Sequence, residues 1–307
     1  MLTIFSTPKA FVGHINIIQR NAIKSWTLLH PNVDIVLFGD EDGAAEVCRE
    51  FGLRHEPEVK RHEKGPKYLN YFFDRAQEIA KHDTLCYVNC DIILMSDFQR
   101  AVERVGSRWT EFLMVGRRWN TDIRTSLNFE AAAWQEHLRS FVVQHGACQA
   151  SGWIDYFVFS RGLYHNKIPP FVIGRNGWDP WLIWKAIDSG ATVVDASPMV
   201  VAIHQNHDYS YLPKNGERPN QDDLTRANMK LFGGLFHWQT TDSAAYVLTS
   251  EDILKRHFRR WLVPVRQNLH WLSTMAWFRI LNFTRPIRHR LGFRRSPSPS
   301  LQYRESH

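Results

Sequence analysis

The stretch 84–98, TLCYVNCDIILMSDF, constrains the fold of this chain more than any other part of the sequence. Its first half is a short apolar run rich in β-forming residues, which is typical of a buried strand. The run meets the triplet Asn89-Cys90-Asp91 and resumes its apolar character at Ile92. Burying a carboxylate between two apolar runs is costly unless charge or hydrogen bonds compensate for the lost water. The carboxylate of Asp91 therefore needs a positively charged group or hydrogen-bond donors close to it.

The position of this triplet at a strand end suggests what that partner is. In an open α/β sheet, ligands bind at the carboxyl ends of the central strands. Mg²⁺ and Mn²⁺ favour oxygen ligands, and phosphates can complete their coordination. Asn89 and Asp91 could thus hold a metal ion against a diphosphate. Alternatively, Asp91 caps the next turn and Asn89 bonds to the backbone. The triplet alone does not separate these two interpretations.

Strand and helix patterns alternate around this stretch. Predicted strands cover 2–5, 34–38, 112–115, 192–195 and 200–203, with another ending at 159, and predicted helices cover 15–29, 44–51, 68–81, 129–143, 179–187 and 221–232. The alternation predicts an α/β fold, a doubly wound, mostly parallel sheet flanked by helices. No GxGxxG follows the first strand and no Walker lysine motif is present, so the signatures of a standard dinucleotide or P-loop site are missing. We expect further strands within 236–248 and a helix that starts at 249–252.

The composition, 44% apolar and 22% charged, is that of a soluble globular protein. Four cysteines without a CxxC pair suit a reducing compartment and make a Cys₄ zinc site improbable. The first residues show no basic segment followed by a long apolar one, so we expect no signal peptide. No window has the apolar length of a membrane-spanning helix.

The net positive charge is concentrated in the C-terminal part of the sequence. Residues 251–307 hold 12 Lys and Arg against 3 Asp and Glu, whereas the first 250 residues hold 26 against 28. An apolar stripe that begins at Leu254 accompanies this charge, which predicts amphipathic helices at an anionic membrane surface through residues 254–295. The alternative is that the stripe packs on the rest of the protein. The predicted division is a catalytic domain at 1–248, a basic helical extension at 249–295 and a disordered tail at 296–307.

The order of these features resembles the GT-A-fold glycosyltransferases, which use nucleotide-diphospho-sugars. The resemblance covers residues 1–245 in layout and rests on the strand-terminal Asn89-x-Asp91, the Gly177-Trp178-Asp179 helix start and the strand-terminal His204. It implies a Mn²⁺ or Mg²⁺ ion held by Asp91, Asn89 and His204, with His207 as a weaker candidate. The usual first Asp of the family's DxD motif is Asn89 here, so that position offers only a neutral carbonyl oxygen, which weakens metal affinity or leaves Asp91 as the sole acidic ligand.

The resemblance also implies roles for other residues. Asp179 corresponds to the general base of inverting members, although an Asp before Pro180 is also an ordinary helix N-cap. Predicted donor-binding residues lie after the first two strands, at a helix entry and in the triplet: Thr3, Ser6, Thr7, Asp40, Lys67, Asn89 and Asp91. Predicted acceptor-binding residues combine aromatic rings with a carboxylate: Trp153, Asp155, Tyr156 and Trp178. Lys67 as a surface charge, His204 as a structural histidine and the tryptophans as core residues are the alternatives.

The expected function is metal-assisted transfer of a sugar from a nucleotide-diphospho-sugar to a hydroxyl of a glycan or a lipid-linked glycan, at the inner face of the cytoplasmic membrane. One alternative is a non-catalytic membrane-associated protein that binds glycans or nucleotide sugars, which the Asn at position 89 favours. A nucleotidyltransferase would need a Gly-rich basic loop after the first strand, and a nucleic-acid binder would need a recognition motif; the sequence has neither. The donor sugar, the acceptor and the choice between inversion and retention are left open.

Overall fold

The computed structural model describes residues 1–207 and 222–256, which form twelve strands and seven α-helices. The strands are β1 (Leu2–Ser6), β2 (Asp34–Phe38), β3 (Arg54–Glu56), β4 (Thr84–Val88), β5 (Ile92–Ile93), β6 (Phe112–Thr121), β7 (Ala147–Cys148), β8 (Ile154–Ser160), β9 (Thr192–Asp195), β10 (Ala202–Gln205), β11 (Tyr246–Leu248) and β12 (Ile253–Lys255). The helices are α1 (Gly13–Thr27), α2 (Ala44–Phe51), α3 (Leu69–Ile79), α4 (Ser96–Gly106), α5 (Trp134–His145), α6 (Trp178–Asp188) and α7 (Asp223–Phe232). The predicted helical extension beyond residue 256 and the predicted disordered tail lie outside the described residues.

The main sheet has the strand order β12-β11-β9-β6-β8-β4-β1-β2-β3. The pairings of β1 with β2 and β4, of β2 with β3, and of β9 with β6 and β11 are parallel. The strand β8 is antiparallel to both of its neighbours, β4 and β6, and β12 is antiparallel to β11. The carboxyl ends of β1, β2, β4 and β6 therefore meet at one edge, together with the start of β8.

Helices cover both faces of this sheet, as the alternation of apolar residues along the strands requires. On one face, Cys86 and Val88 of β4 share a core with α1, α2 and α4. On the other face, Leu85 and Tyr87 share a core with α3 and α6. The predicted α/β class, with a mostly parallel sheet between helices, is confirmed.

The strand β6 bends at Gly116, and its two halves pair with different strands. Its pairing with β8 shifts register between Val115 and Arg117, and its second half pairs with β10, which in turn pairs with β5. A Cβ atom at Gly116 would lie 2.1 Å from the hydroxyl oxygen of Tyr156, so a side chain does not fit at the bend. This second pairing brings the end of β10 beside the triplet that follows β4.

The C-terminal part of the described chain differs from the prediction. Residues 249–252 do not start a helix; Thr249 and Asp252 close a hairpin turn between β11 and β12, with Thr249 N donating to Asp252 O at 2.9 Å. The sheet thus continues past the predicted boundary at 248. Within 236–248 only β11 is a strand, and two short 3₁₀ turns account for half of the other residues. Among the described residues, no helix has the length and apolar content needed to cross a membrane.

Candidate functional site

A cleft of about 470 Å³ opens at the edge where the carboxyl ends of β1, β2, β4 and β6 meet. The loops after β1, β2 and β4 contribute to it, and so do Arg118 of β6, the end of β10 and the first turn of α6. Of the predicted site residues, the cleft is lined by Thr7, Lys67, Asn89, Asp91, Trp153, Asp155, Trp178, Asp179 and His204. The cleft lies where ligands bind in open α/β sheets.

Asp91, His204 and His207 form a compact cluster in this cleft, with their ligand atoms all within 4.8 Å of one another. Nε2 of His207 lies 3.1 Å from Oδ2 of Asp91, and Nε2 of His204 lies 3.7 Å from the same oxygen. The pairing of β5 with β10 sets this arrangement, because it places His204 opposite Ile92, one residue after Asp91. Residues 113 positions apart in the chain thereby come into contact.

The cluster fits a divalent ion. Two atoms that each lie about 2.1 Å from one ion, at a right angle, are about 3.0 Å apart, which is close to the His207–Asp91 separation. Oδ1 of Asp91 is buried and has no hydrogen-bond partner, so it needs a positive group. Burial acts to raise the pKa of Asp91, but His204, the hydrogen bond from His207 and the ammonium of Lys9 hold it well below its usual range. The carboxyl is therefore ionised and can bind a cation.

Asn89 does not join this cluster. Its Nδ2 donates to Oδ1 of Asp155 at 2.7 Å, and its Oδ1 accepts from the hydroxyl of Tyr87 at 2.9 Å. The ligand set expected from the sequence, Asp91 with Asn89 and His204, thus differs from the cluster, in which His207 stands in place of Asn89. The Asn that departs from the DxD pattern is a hydrogen-bond bridge between β4 and β8.

The hydrogen bonds of Asn89 allow us to predict the effect of replacing it with the Asp that is usual in the DxD motif. We expect Asn89→Asp to destabilise the protein by about 2–3 kcal/mol, because the new carboxylate cannot donate to Asp155 and repels it. Denaturant unfolding measures the loss, with Asn128→Asp as the control, since the exposed Asn128 uses only its Oδ1 as an acceptor. Unchanged stability together with tighter Mn²⁺ binding would show instead that residue 89 faces the ion.

The side of the cleft next to the ends of β1 and β2 contains a partly buried ion pair. Nζ of Lys67 lies 2.7 Å from Oε1 of Glu41 and donates to the carbonyl oxygens of Pro8 and Phe38. Burial lowers the pKa of Lys67, while Glu41 opposes the shift. Lys67 is therefore a buried group rather than a surface charge. Glu41, which the sequence analysis missed, lines the cleft directly after the predicted Asp40.

Three predicted donor residues lie outside the cleft lining. Thr3 is near the amino end of β1, where its Oγ1 contacts Asp34 and accepts from the backbone of His82. Ser6 is buried, and its hydroxyl donates to the carbonyl of Val88 at 2.6 Å, which ties β1 to β4. The side chain of Asp40 points to solvent and pairs with Arg61. The strands that contain or precede these residues were predicted correctly. However, Thr3 lies at the end of β1 away from the cleft, the side chain of Ser6 contacts a neighbouring strand, and that of Asp40 faces solvent.

The opposite wall of the cleft is built on β6 and β8. Nη1 of Arg118 lies 2.6 Å from Oδ2 of the buried Asp155, and the guanidinium lies 4.7 Å from the ring centre of Trp153. Trp153 is 49% exposed, so one side of its ring is open to a ligand. Tyr156, in contrast, is fully buried and packs against Phe98 of α4. Tyr156, predicted as an acceptor residue, therefore does not line the cleft, because neighbouring residues of a strand point to opposite faces.

The first turn of α6 carries Asp179 and Trp178. Gly177, with φ of 110°, is the N-cap, so Asp179 is the second helical residue rather than the predicted N-cap. Trp178 is buried against Tyr87 and Phe157, with only its edge at the cleft. Burial raises the pKa of the Asp179 carboxyl to about 7, with a smaller contribution from Asp155. A carboxyl with this pKa can take up or release a proton near neutral pH.

Further residues of the cleft that the sequence did not predict lie in loops, where no periodic pattern marks them. Lys9 follows β1, and its Nζ lies 3.5 Å from Nε2 of His207. Arg175 precedes α6, and its Nε donates to Asp222 at 2.6 Å. Arg118, in contrast, belongs to β6 and is buried in an ion pair with Asp155. The one signal available for Lys9 was a basic residue three positions after the end of a strand.

No family model and no curated protein match the sequence. Solved structures do resemble the chain. Glucosyl-3-phosphoglycerate synthase from Mycobacterium tuberculosis, in complex with Mn²⁺, UDP and phosphoglyceric acid, is 13% identical, with a TM-score of 0.45 over 84% of this chain and 86% of that one. S. aureus TarS in complex with UDP-GlcNAc is 10% identical, with a TM-score of 0.44 over 75% and 65%.

A third structure is the mannosyltransferase PcManGT from Pyrobaculum calidifontis in complex with GDP-Man and Mn²⁺, which is 13% identical, with a TM-score of 0.41 over 70% of this chain and 58% of that one. The chain spans 59 to 65% of the TarS fragment in its two structures. At these identities and TM-scores the likeness assigns no residue and no substrate. Each of these three structures was solved with a nucleotide or a nucleotide sugar: UDP, UDP-GlcNAc or GDP-Man.

Proposed function

We propose that this protein is a metal-dependent glycosyltransferase that moves a sugar from a nucleotide-diphospho-sugar to a hydroxyl of a glycan or a lipid-linked glycan. One observation carries the proposal. A single cleft combines a cation-binding cluster, Asp91, His204 and His207, with a carboxyl, Asp179, whose pKa is about 7. Sugar transfer from a diphosphate needs both: charge stabilisation for the leaving group and a base for the attacking hydroxyl.

The donor side would hold the nucleotide diphosphate. A divalent ion, when bound by Asp91, His204 and His207, supplies Lewis-acid neutralisation of the departing phosphate oxygens. The ammonium of Lys9 lies beside His207 and adds positive charge at the same place. Thr7 lines the cleft directly after β1 and can contact the nucleotide.

The acceptor side would hold the sugar that receives the transfer. The exposed ring face of Trp153 suits the apolar face of a pyranose. The guanidinium of Arg118 supports the ring from the other side, and Asp155 holds Arg118 in place. These contacts favour a carbohydrate acceptor over a small unbranched alcohol.

Asp179 would move the proton. In an inverting reaction, its carboxylate accepts the proton of the acceptor hydroxyl while the acceptor oxygen forms a bond to the anomeric carbon. The bond between that carbon and the phosphate oxygen breaks, and the nucleoside diphosphate leaves with the electron pair. Because the pKa of Asp179 is about 7, the carboxylate is available as a base at and above neutral pH.

Calorimetry with UDP and GDP, each with and without Mn²⁺, tests the donor site. We expect one nucleotide to bind much more tightly with the ion present, and the matching sugar nucleotide to be hydrolysed slowly in the absence of an acceptor. If neither nucleotide binds under any condition, the transferase proposal fails. Tight nucleotide-sugar binding without hydrolysis or transfer to any glycan would favour the non-catalytic binding protein.

We also propose that the basic segment beyond Arg256 holds the protein at the anionic inner face of the cytoplasmic membrane. Replacing five of its arginines with Gln (Arg259, Arg260, Arg266, Arg279 and Arg285) is expected to weaken binding to phosphatidylglycerol vesicles by about 1 kcal/mol for each charge removed. Vesicle co-sedimentation at low and high salt measures this, with phosphatidylcholine vesicles as the control. Equal binding of both proteins to both lipids would rule out an electrostatic membrane contact.

A further inference from the structure

A continuous line of side chains runs along the cleft from the end of β4 across β8 to β6. The hydroxyl of Tyr87 donates to Oδ1 of Asn89 at 2.9 Å, and Nδ2 of Asn89 donates to Oδ1 of Asp155 at 2.7 Å. Nη1 of Arg118 donates to Oδ2 of Asp155 at 2.6 Å. We call these four residues, which all line the cleft, the acceptor-wall network. The guanidinium of Arg118 lies 4.7 Å from the ring centre of Trp153.

Strand pairing fixes the spacing of this network. The strand β8 lies between β4 and β6 in the sheet. The backbone N–H of Asn89 donates to the carbonyl of Asp155 at 2.9 Å, and that of Arg118 donates to the carbonyl of Trp153 at 3.2 Å. The side chains therefore start from positions that the backbone holds in register, which brings cross-strand neighbours into contact.

Asp155 needs a hydrogen-bond donor at each of its carboxylate oxygens. The side chains of Asp155 and Arg118 are only 9% and 8% exposed, so water has little access to either. A buried ion pair is favourable only when further hydrogen bonds satisfy the remaining lone pairs. An amide at position 89 accepts from Tyr87 and donates to Asp155 at the same time, whereas a carboxylate can only accept. This requirement accounts for Asn89 at a position where the DxD motif usually has Asp.

We propose that Asn89 is a positioning residue for the acceptor sugar: by donating to Asp155, it fixes the guanidinium of Arg118 against the ring of Trp153. This inference rests on the proposed function, in which the ring of Trp153 receives the acceptor. The guanidinium supports the ring, and Trp153 is 49% exposed, so a pyranose can stack on it. Without the bond from Asn89, the ion pair of Asp155 and Arg118 rearranges and the ring loses its support. The competing interpretation is that residue 89 acts on the donor or on the metal ion.

Exchanging the side chains at positions 89 and 155 tests the network without any ligand. Asn89→Asp places two carboxylates side by side, and Asp155→Asn takes the carboxylate from Arg118, so each variant should have a lower urea midpoint of unfolding than the wild type. In the double variant, the amide at position 155 can donate to the carboxylate at position 89 and accept from Arg118. We therefore expect its midpoint to lie above those of both single variants, and a lower midpoint would overturn the proposal. The control is Asn128→Asp with Asp188→Asn, two exposed positions, whose effects should add.

A fluorine label shows whether Arg118 keeps its place on the ring. The full chain is prepared with 5-fluorotryptophan, and Trp153→Phe identifies the fluorine resonance of Trp153 among those of the twelve tryptophans. Asn89→Asp is expected to shift this resonance, because the guanidinium leaves the ring, and the double variant should return it towards the wild-type position. A Trp153 resonance that Asn89→Asp leaves unaltered would contradict the assignment.

Kinetics distinguish acceptor positioning from a general structural role. The acceptors are p-nitrophenyl glycosides, and the donor is the sugar nucleotide that the wild type hydrolyses. Asn89→Ala removes both side-chain hydrogen bonds without adding charge. We expect it to raise the KM for the acceptor by about 10-fold and to leave kcat and the hydrolysis of the donor, in which water is the acceptor, nearly unchanged. Equal losses in transfer and hydrolysis would show that residue 89 acts on the donor or the ion, and an unaltered KM would show that it does not position the acceptor; either result overturns the proposal.

The unfolding and fluorine experiments need neither donor nor acceptor, so they separate this inference from the proposed function. A protein that shows the coupling between positions 89 and 155 but neither binds UDP or GDP nor hydrolyses a sugar nucleotide would refute the proposed function, and with it the acceptor role of Asn89. Donor hydrolysis by the wild type, together with losses at positions 89 and 155 that simply add, would support the proposed function and refute this inference.

Discussion

Replacing Asp179 with Asn is expected to lower the rate of sugar transfer by about 10²–10⁴-fold and to leave the binding of the donor nucleotide nearly unchanged. The amide keeps the size and the helix position of the carboxylate but cannot accept a proton. Asp179 lies in the first turn of α6 and is not a member of the ion cluster, so we expect the donor contacts to be unaffected.

The pH dependence gives this prediction a second measurement. For the wild type, the transfer rate should rise as the pH increases through about 7, because the carboxylate form is the base. Thermal unfolding should show the opposite trend. The pKa of Asp179 in the folded protein lies above its ordinary value of 3.8. Between these two pKa values the folded protein holds a proton that the unfolded chain has lost. The free energy of unfolding therefore falls as the pH rises from about 4 to about 7. Asp179→Asn should remove this trend and be more stable at neutral pH.

The control is Asp188→Asn at the other end of the same helix, where the carboxylate forms an exposed ion pair with Lys185. It should leave the rate and its pH dependence unaltered. A transfer rate in Asp179→Asn that equals that of the wild type would show that another group is the base. A wild-type rate that is independent of pH around neutrality would have the same meaning.

Replacing Asp91 with Ala is expected to abolish divalent-ion binding and to raise the dissociation constant of the nucleotide in the presence of Mn²⁺ by at least about 100-fold. Asp91 is the one carboxylate in the cluster as the structure describes it, and Oδ2 is the atom that both imidazoles approach. Without it, two neutral nitrogens remain, which hold an ion weakly. Nucleotide binding in EDTA should change much less.

Calorimetry with Mn²⁺ and then with nucleotide measures both effects. Asp83→Ala is the matched control, because Asp83 precedes the same strand, β4, at the opposite edge of the sheet, and its side chain is 97% exposed. Thermal unfolding confirms that each variant is folded. If Asp91→Ala still binds the nucleotide tightly in a Mn²⁺-dependent manner, the ion is held elsewhere and the candidate site is wrong.

Local sequence patterns were sufficient to place most elements and several site residues. The predicted bounds 34–38, 44–51 and 192–195 agree with β2, α2 and β9, because each segment has one clear apolar pattern and a breaker at its end. Asp91, His204 and Asp179 line the cleft because each follows or begins such an element. In an open α/β sheet, the ends of neighbouring parallel strands have to meet.

Side-chain direction was harder to predict. Thr3 and Tyr156 belong to correctly predicted strands, yet one lies near the far end of its strand and the other faces α4. The predicted helix start at 249–252 became a hairpin because β11 pairs with β12, a contact that helix-capping rules do not consider. These errors arise where a contact distant in sequence outweighs a local preference.

The sequence by itself determined the alternation of strands and helices, the edge at which the cleft opens and the presence there of Asp91, His204 and Asp179, because these follow from periodicity and from the ends of elements. The tertiary structure decided that Asn89 bridges to Asp155, that His207 completes the cluster and that Lys9 lies beside it. Those contacts join positions 66 to 198 residues apart. The pairings of β1 with β4, of β4 with β8 and of β5 with β10 bring these groups within hydrogen-bonding distance.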